Sequence, residues 1–252
     1  MTWNRAAART DDPAPTGRPA LGLVTIGQAP RTDLGPDAAP LLPGVRLVEY
    51  GALDEDDFTG PGEAATRRAV APAPGEAPLV SRLRDGGSAV LGHDALLPRM
   101  ERAVARAEQD GAVATLLLCT GHFPAVRSAR PLLHAEPLVQ GAVAAIVADA
   151  PVGLVCPHPG QVDDVVRRWS ALPLGTVTAA GADPYAMHDE ALRQIAEAAR
   201  TLAEDGAAWL VLDCIGYTEE MRRVAVGAAG RPVLLARSLA IRAAAEVVSA
   251  HS

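Results

Sequence analysis

The sequence predicts an α/β protein of two Rossmann-like lobes, with mostly parallel sheets and a cleft between the lobes. Three observations carry that expectation. Apolar strand-like runs alternate with amphipathic helix-like segments along most of the chain, which implies right-handed crossovers and sheets covered on both faces. Two of the runs end alike, at Leu118-Cys119-Thr120-Gly121 and at Leu212-Asp213-Cys214-Ile215-Gly216. They lie roughly 95 residues apart, about one small α/β lobe.

Residues 21–26 are an apolar run that stops at Gly27, and residues 28–33 read as a loop entering a helix. A second strand is expected over 45–50 and an acidic turn over 54–57. Residues 61–78 are rich in Pro, Gly and Ala without clear periodicity, so a long irregular excursion near the site mouth is expected. Apolar residues at 79–83 and 88–91 flank Arg84-Asp85-Gly86-Gly87, a signal for a small antiparallel hairpin. Leu97, Met100, Val104 and Ala107 have helical spacing over 96–110, with Gly111 at the capping position. Residues 113–118 form the strand that delivers Cys119.

The same alternation then restarts. Helices are predicted over 137–149 and 161–169, and strands over 152–155 and 174–179. Leu192, Ile195, Ala199 and Leu202 share one face of a helix over 190–204 that Gly206 closes. The strand at 209–213 delivers Cys214, followed by a helix at 219–225, a short strand at 233–236 and a last helix at 238–250. Residues 21–120 with 215–252 are expected to make the first lobe and 121–214 the second, after a disordered lead-in over 1–20.

Composition excludes several classes. The 252-residue chain is 49% hydrophobic and 21% charged, with only 3% aromatic residues, so Ala, Val and Leu must fill a globular core. A net charge of −7 gives no general attraction for nucleic acid or acidic lipid. No apolar run of 18 residues is free of charges or breakers, and residues 1–20 lack the apolar centre of a signal peptide. Three cysteines without CxxC spacing suit reduced thiols in a cytoplasm, and the six histidines show no metal-ligand spacing. No metal or cofactor is expected; a homo-oligomer is compatible with the sequence.

Cys119 and Cys214 are the candidate catalytic pair. Past the carboxyl ends of parallel strands, side chains meet a ligand, and a helix N-terminus or hydrogen-bond donors can turn a thiol into a base or nucleophile. One thiol on each face of a carbon acid could remove a proton and return it on the opposite side. Each cysteine has the competing reading of a small core hydrophobe, which is preferred for Cys156. Gln28 and Arg31, after the first strand, are candidates for binding a carboxylate, against the alternative of an ordinary loop. Thr120, Gly121, Gly216, Tyr217 and Thr218 complete the candidate anion site, with Tyr217 equally readable as a packing residue. His122 is expected to make a loop hydrogen bond, and Asp213 to point away from Cys214 and brace a neighbouring loop. Cys156-Pro157-His158-Pro159-Gly160-Gln161 could place His158 or Gln161 over the cleft, whereas Asp183-Pro184-Tyr185 reads as a turn. The loop over 25–31 has neither GxGxxG nor GxxxxGK[ST], so no nucleotide is expected.

Thr25-Ile26-Gly27-Gln28-Ala29-Pro30-Arg31, the segment over 74–86, Leu118-Cys119-Thr120-Gly121 and Asp213-Cys214-Ile215-Gly216-Tyr217-Thr218 together resemble the AroM family, from about residue 21 to the C-terminal helix. At greater distance the chain is similar to the aspartate/glutamate racemase superfamily. That resemblance implies a cofactor-independent isomerase or racemase of a small carboxylate, with Cys119 and Cys214 as acid/base thiols. Those racemases show Cys-Asn-Thr and Cys-Thr-His where this chain has Cys-Thr-Gly and Cys-Ile-Gly, and an acidic residue where it has Gln28. These departures keep two alternatives: a single-thiol lyase or cis-trans isomerase, and a non-catalytic carboxylate-binding or regulatory protein.

Overall fold

The structure, a computed structural model, describes residues 17–123 and 125–251. The lead-in expected over 1–20 therefore falls outside the description up to residue 16. The chain begins with β1 (Ala20–Thr25), buried at every position, then α1 (Gly35–Ala38), β2 (Arg46–Gly51) and α2 (Glu63–Val70). The hairpin strands β3 (Leu79–Arg82) and β4 (Ser88–Leu91) follow, then α3 (His93–Gln109), β5 (Ala112–Leu118), β6 (Leu132–His134) and α4 (Ala135–Val147). Next come β7 (Val152–Cys156), α5 (Val162–Trp169), β8 (Val177–Gly181) and α6 (His188–Glu204). The chain closes with β9 (Trp209–Leu212), α7 (Glu219–Ala229), β10 (Val233–Leu235) and α8 (Ala236–Ser249).

Two four-stranded parallel sheets result, ordered β2-β1-β5-β6 and β10-β9-β7-β8. Counted within each sheet in chain order, both run 2-1-3-4, so β5 and β9 hold equivalent third positions. The α/β class with mostly parallel sheets is thus as the alternation predicts, and the small antiparallel β3-β4 hairpin is where its glycines put it.

Alternation along the strands sorts side chains into layers. Leu21, Leu23, Leu116 and Leu118 face a middle layer shared with Leu154, Cys156 and Val211 of the second sheet, filled by α4 and α8. Val24 and Leu117 face outward onto α3 and the hairpin, and Val155, Leu210 and Leu212 onto α6 and α7. Helix α3 buries Leu96, Met100, Ala103, Val104 and Ala107, and the chain leaves it through Gly111 at φ +87. Helix α7 is capped by Thr218, which accepts from the Met221 N–H, and ends at left-handed Gly230.

Three local readings change. Residues 63–70 are helical, not irregular: Glu63 and Arg67 pair at i,i+4, and only Val70 is buried, so the helix leaves no apolar periodicity to read. The strand expected at 174–179 runs later, over Val177–Gly181, because the chain is still turning at Gly175, where a Cβ would lie 2.4 Å from the Asp149 carbonyl. The three-residue strand β6 was too short to stand out.

Candidate active site

Cys119 and Cys214 sit just past the carboxyl ends of β5 and β9, in turns of the same build. The Gly121 N–H donates to Cys119 Sγ at 3.3 Å, and the Gly216 N–H donates to Cys214 Sγ at 3.3 Å. Glycine allows close approach at both places. A Cβ on Gly121 would stand 2.4 Å from Leu79 Cδ2, and one on Gly216 would stand 2.5 Å from Tyr185 Oη. The Thr120 hydroxyl donates to the Asp213 carbonyl at 3.0 Å, joining the first turn to the second.

Both cysteines line a single cavity of about 40 Å³. Thr120, Gly121, Asp213 and Ile215 line it with them. Arg168 and Asp164 of α5, Tyr185 and Gln161 enter from the second sheet's loops, while Ala77, Pro78, Ser81 and His93 enter from the first half of the chain. The excursion over 61–78 thus reaches the site through its last residues. Gln161 ties it there, donating to the Pro78 carbonyl at 2.6 Å.

Burial dominates the electrostatics. It pushes the Cys119 thiol up to about 12; the Gly121 N–H acts in the opposite sense, a charge on Cys214 would raise it further, and Arg168 opposes the rise. Burial likewise pushes Cys214 up to about 11 against the Gly216 N–H and Arg31, with a hydrogen bond from Tyr185 also favouring the thiolate. Burial raises the Asp213 carboxyl to about 6, opposed by Arg168 and by hydrogen bonds from Trp169 and Thr120. At rest both sulfurs are thiols, each with one arginine positioned to favour its ionised form.

The other sequence-level candidates are placed differently. Gln28 is outside the cavity lining: its amide nitrogen donates to the Leu53 and Asp56 carbonyls and its oxygen accepts from the Arg84 N–H. Arg31 makes a bidentate pair with Asp33 at 2.8 Å, donates to Thr25 Oγ1, and lies 5.8 Å from the Tyr185 ring centroid. Tyr217 is fully buried and donates to the Ala182 carbonyl at 2.6 Å, and Thr218 caps α7. Gly216 acts through its N–H at Cys214. Cys156 is a core residue, and His158 turns back to accept from the Gly160 N–H. Asp213 lines the cavity beside Cys214 because β9 ends at Leu212 and strand alternation no longer applies; its carboxylate accepts from Trp169 Nε1 at 3.0 Å.

Sequence reasoning missed Arg168, Tyr185 and His93. Arg168 donates through Nε to Asp164 at 2.8 Å and through Nη1 to Glu136 at 2.6 Å, while its Nη2 has no partner among the described residues. In sequence it is half of an ordinary i,i+4 helix pair. Tyr185 stood in a segment that read as a turn, which it also is, since its N–H donates to Asp183.

A nine-residue internal repeat braces both turns. Arg130-Pro131-Leu132-Leu133-His134-Ala135-Glu136-Pro137-Leu138 aligns with Arg231-Pro232-Val233-Leu234-Leu235-Ala236-Arg237-Ser238-Leu239, covering β6 into α4 and β10 into α8. The seventh position has opposite charge in the two copies. Glu136 accepts from Arg168 and pairs with His122 in the Cys119 turn at 3.0 Å. Arg237, wholly buried, donates to the Ile215 and Gly216 carbonyls in the Cys214 turn and to Asp33 and Asp37 at 2.9 Å.

Comparison with solved structures finds this architecture elsewhere. A double mutant of arylmalonate decarboxylase in its liganded form matches with TM-score 0.62 at 13% identity, covering 93% of this chain and 94% of that one. Allantoin racemase from Klebsiella pneumoniae matches with TM-score 0.61 at 13% identity, covering 92% and 89%. Picrophilus torridus aspartate racemase matches with TM-score 0.59 at 12% identity, covering 92% and 94%. At these identities the likeness is one of fold. Comparison with curated proteins finds no match. The family model described as AroM protein matches residues 21–248, and the chain belongs to that family.

Proposed function

We propose that this protein is a cofactor-independent isomerase of the racemase kind, acting on a small carboxylate with Cys119 and Cys214 as its two acid/base groups. The observation that carries the reading is the pair of Cys-x-Gly turns, delivered by equivalent strands of two sheets to one cavity. One sulfur, as thiolate, takes the proton from the carbon next to the carboxylate. The electron pair moves into the carboxylate as an enediolate, and the S–H of the other cysteine returns a proton to the opposite face. Afterwards the two sulfurs have exchanged protonation states.

Binding an anion suits this cavity. The free Nη2 of Arg168 offers a charge-assisted hydrogen bond, and Thr120 and Gly121 border the same space. Negative charge developing on the substrate is best held by donors fixed before the reaction. The similarity of fold to an aspartate racemase and an allantoin racemase supports the reading.

The unequal surroundings of the two thiols favour one rival, a reaction that uses a single sulfur. Incorporation of solvent deuterium into a panel of small chiral carboxylates separates the readings. Two-base chemistry predicts exchange and inversion by the unaltered protein, and loss of inversion by at least about 100-fold in both Cys119→Ala and Cys214→Ala. Turnover surviving in one variant would establish single-thiol chemistry. Saturable binding with no exchange at carbon would mark a binding or regulatory protein.

A further inference from the structure

The two-thiol reading leaves one proton unassigned, because neither sulfur is itself a base until one S–H is given up. A carboxylate-imidazole pair on the cavity wall is placed to receive it. His93, the first residue of α3, lines the same cavity as Cys119. Its Nδ1 lies 3.0 Å from Glu76 Oε1, which also accepts the His93 backbone N–H, while Glu76 Oε2 accepts the Ala73 N–H at 2.7 Å. Burial acts to raise the Glu76 carboxyl, but the donors from Ala73 and His93 hold it below its ordinary value. Glu76 is therefore the acceptor and Nδ1 the donor in this pair, an arrangement that in the neutral imidazole leaves the lone pair on Nε2. That nitrogen has no partner among the described residues.

One further contact fixes the ring. Phe123, in the turn that follows Cys119, packs against it with centroids 5.5 Å apart and planes tilted by 52°. His93 and both cysteines border one cavity with room for only a few water molecules, which suits a short proton relay.

We propose that Glu76 and His93 form a priming dyad: His93 Nε2 takes the Cys119 proton, directly or through one water, and leaves a thiolate-imidazolium pair in the cavity. The S–H bond breaks with its electrons kept on sulfur, an N–H bond forms on Nε2, and net charge is conserved. His93 is here a proton-transfer residue and Glu76 a positioning residue. The inference rests on the two-thiol reading for its purpose and not for its test. The other ionisable groups around the cavity, His122, Asp164, Arg168, Tyr185, Asp213 and Cys214, are unaltered in that test.

The test is the rate of alkylation of each cysteine by iodoacetamide between pH 6 and 10, resolved by peptide mass spectrometry on the full chain. At pH 7.5, Cys119 should react about tenfold more slowly in His93→Gln than in the unaltered protein, with Cys214 changed less than twofold. Glu76→Gln should move the Cys119 profile to higher pH by a smaller amount. An unchanged Cys119 profile in His93→Gln, or an equal slowing of both cysteines, overturns the proposal. Because no substrate is involved, absence of deuterium exchange would count against the isomerase alone, and a flat alkylation result against the dyad alone.

Discussion

Burial raises the Asp213 carboxyl to about 6, so at this residue the folded chain holds its proton more tightly than the unfolded chain does. The sign follows directly. Stability from this group is fully present below the ordinary aspartate range and is lost as pH rises towards 6, after which the curve is flat. Asp213→Asn keeps an acceptor for Trp169 Nε1 and removes the ionisation. Thermal unfolding from pH 4 to 7.5 should show the variant close to the unaltered protein at pH 4 and more stable at pH 7, by on the order of 2–3 kcal/mol. A variant that loses stability at pH 7 would mean that the Asp213 charge is satisfied by Arg168. At this scale the two cysteines were legible because each lies beside the strand and glycine that position it, all within a few consecutive residues. Arg168, Tyr185 and His93 were not, because each reads locally as part of an ordinary helix or turn and meets the cavity only through the tertiary fold. Nor did the sequence show that the neighbours of Gln28 would use up its amide.

Among the elements, two strands carry a close-packing constraint. Gly153 in β7 faces α6, and a Cβ there would lie 2.7 Å from Leu210 Cδ2, 2.9 Å from Leu202 Cβ and 3.1 Å from Ala207 Cβ. Gly22 in β1 is its counterpart, 2.6 Å from Thr115 Oγ1 and 3.1 Å from Ala107 Cβ of α3. Each lets an outer helix approach its sheet closely. Gly153→Ala should cost about 1–3 kcal/mol, read as a lower urea midpoint at unchanged slope, since the crowded neighbours are two Cβ atoms with no rotamer to change. The long helices and buried strands were readable for a related reason: continuous burial of one face imposes a period on the sequence. Helix α2 and strand β6 bury too little to leave one, and an expectation built on apolar spacing passes over both.

At the scale of the whole molecule, Arg237 joins segments about 200 residues apart. Its guanidinium meets Asp33 and Asp37 near the start of the chain, and the Ile215 and Gly216 carbonyls beside Cys214. Arg237→Ala would remove the second guanidinium of Asp33, which keeps Arg31, the guanidinium of Asp37, which keeps the Glu219 N–H, and the donor to the buried Ile215 and Gly216 carbonyls, at a cost of about 3 kcal/mol. Urea unfolding should show that loss, and alkylation of Cys214 should accelerate in the variant as its turn loosens. The two mostly parallel sheets were foreseeable from the alternation of strands and helices; the strand order was not, since residues 233–235 pair with β9 and 132–134 with β5, and neither was the way the sheets are fastened together, because it depends on one position of the repeat having changed sign.

That sign change determines which halves can mate. Glu136, from the copy that follows the first sheet's β6, answers to Arg168 of α5, and Arg237, from the copy that follows β10, answers to Asp33 and Asp37 near the start of the chain. Each copy fits only a partner of the opposite sign, so the two are no longer interchangeable.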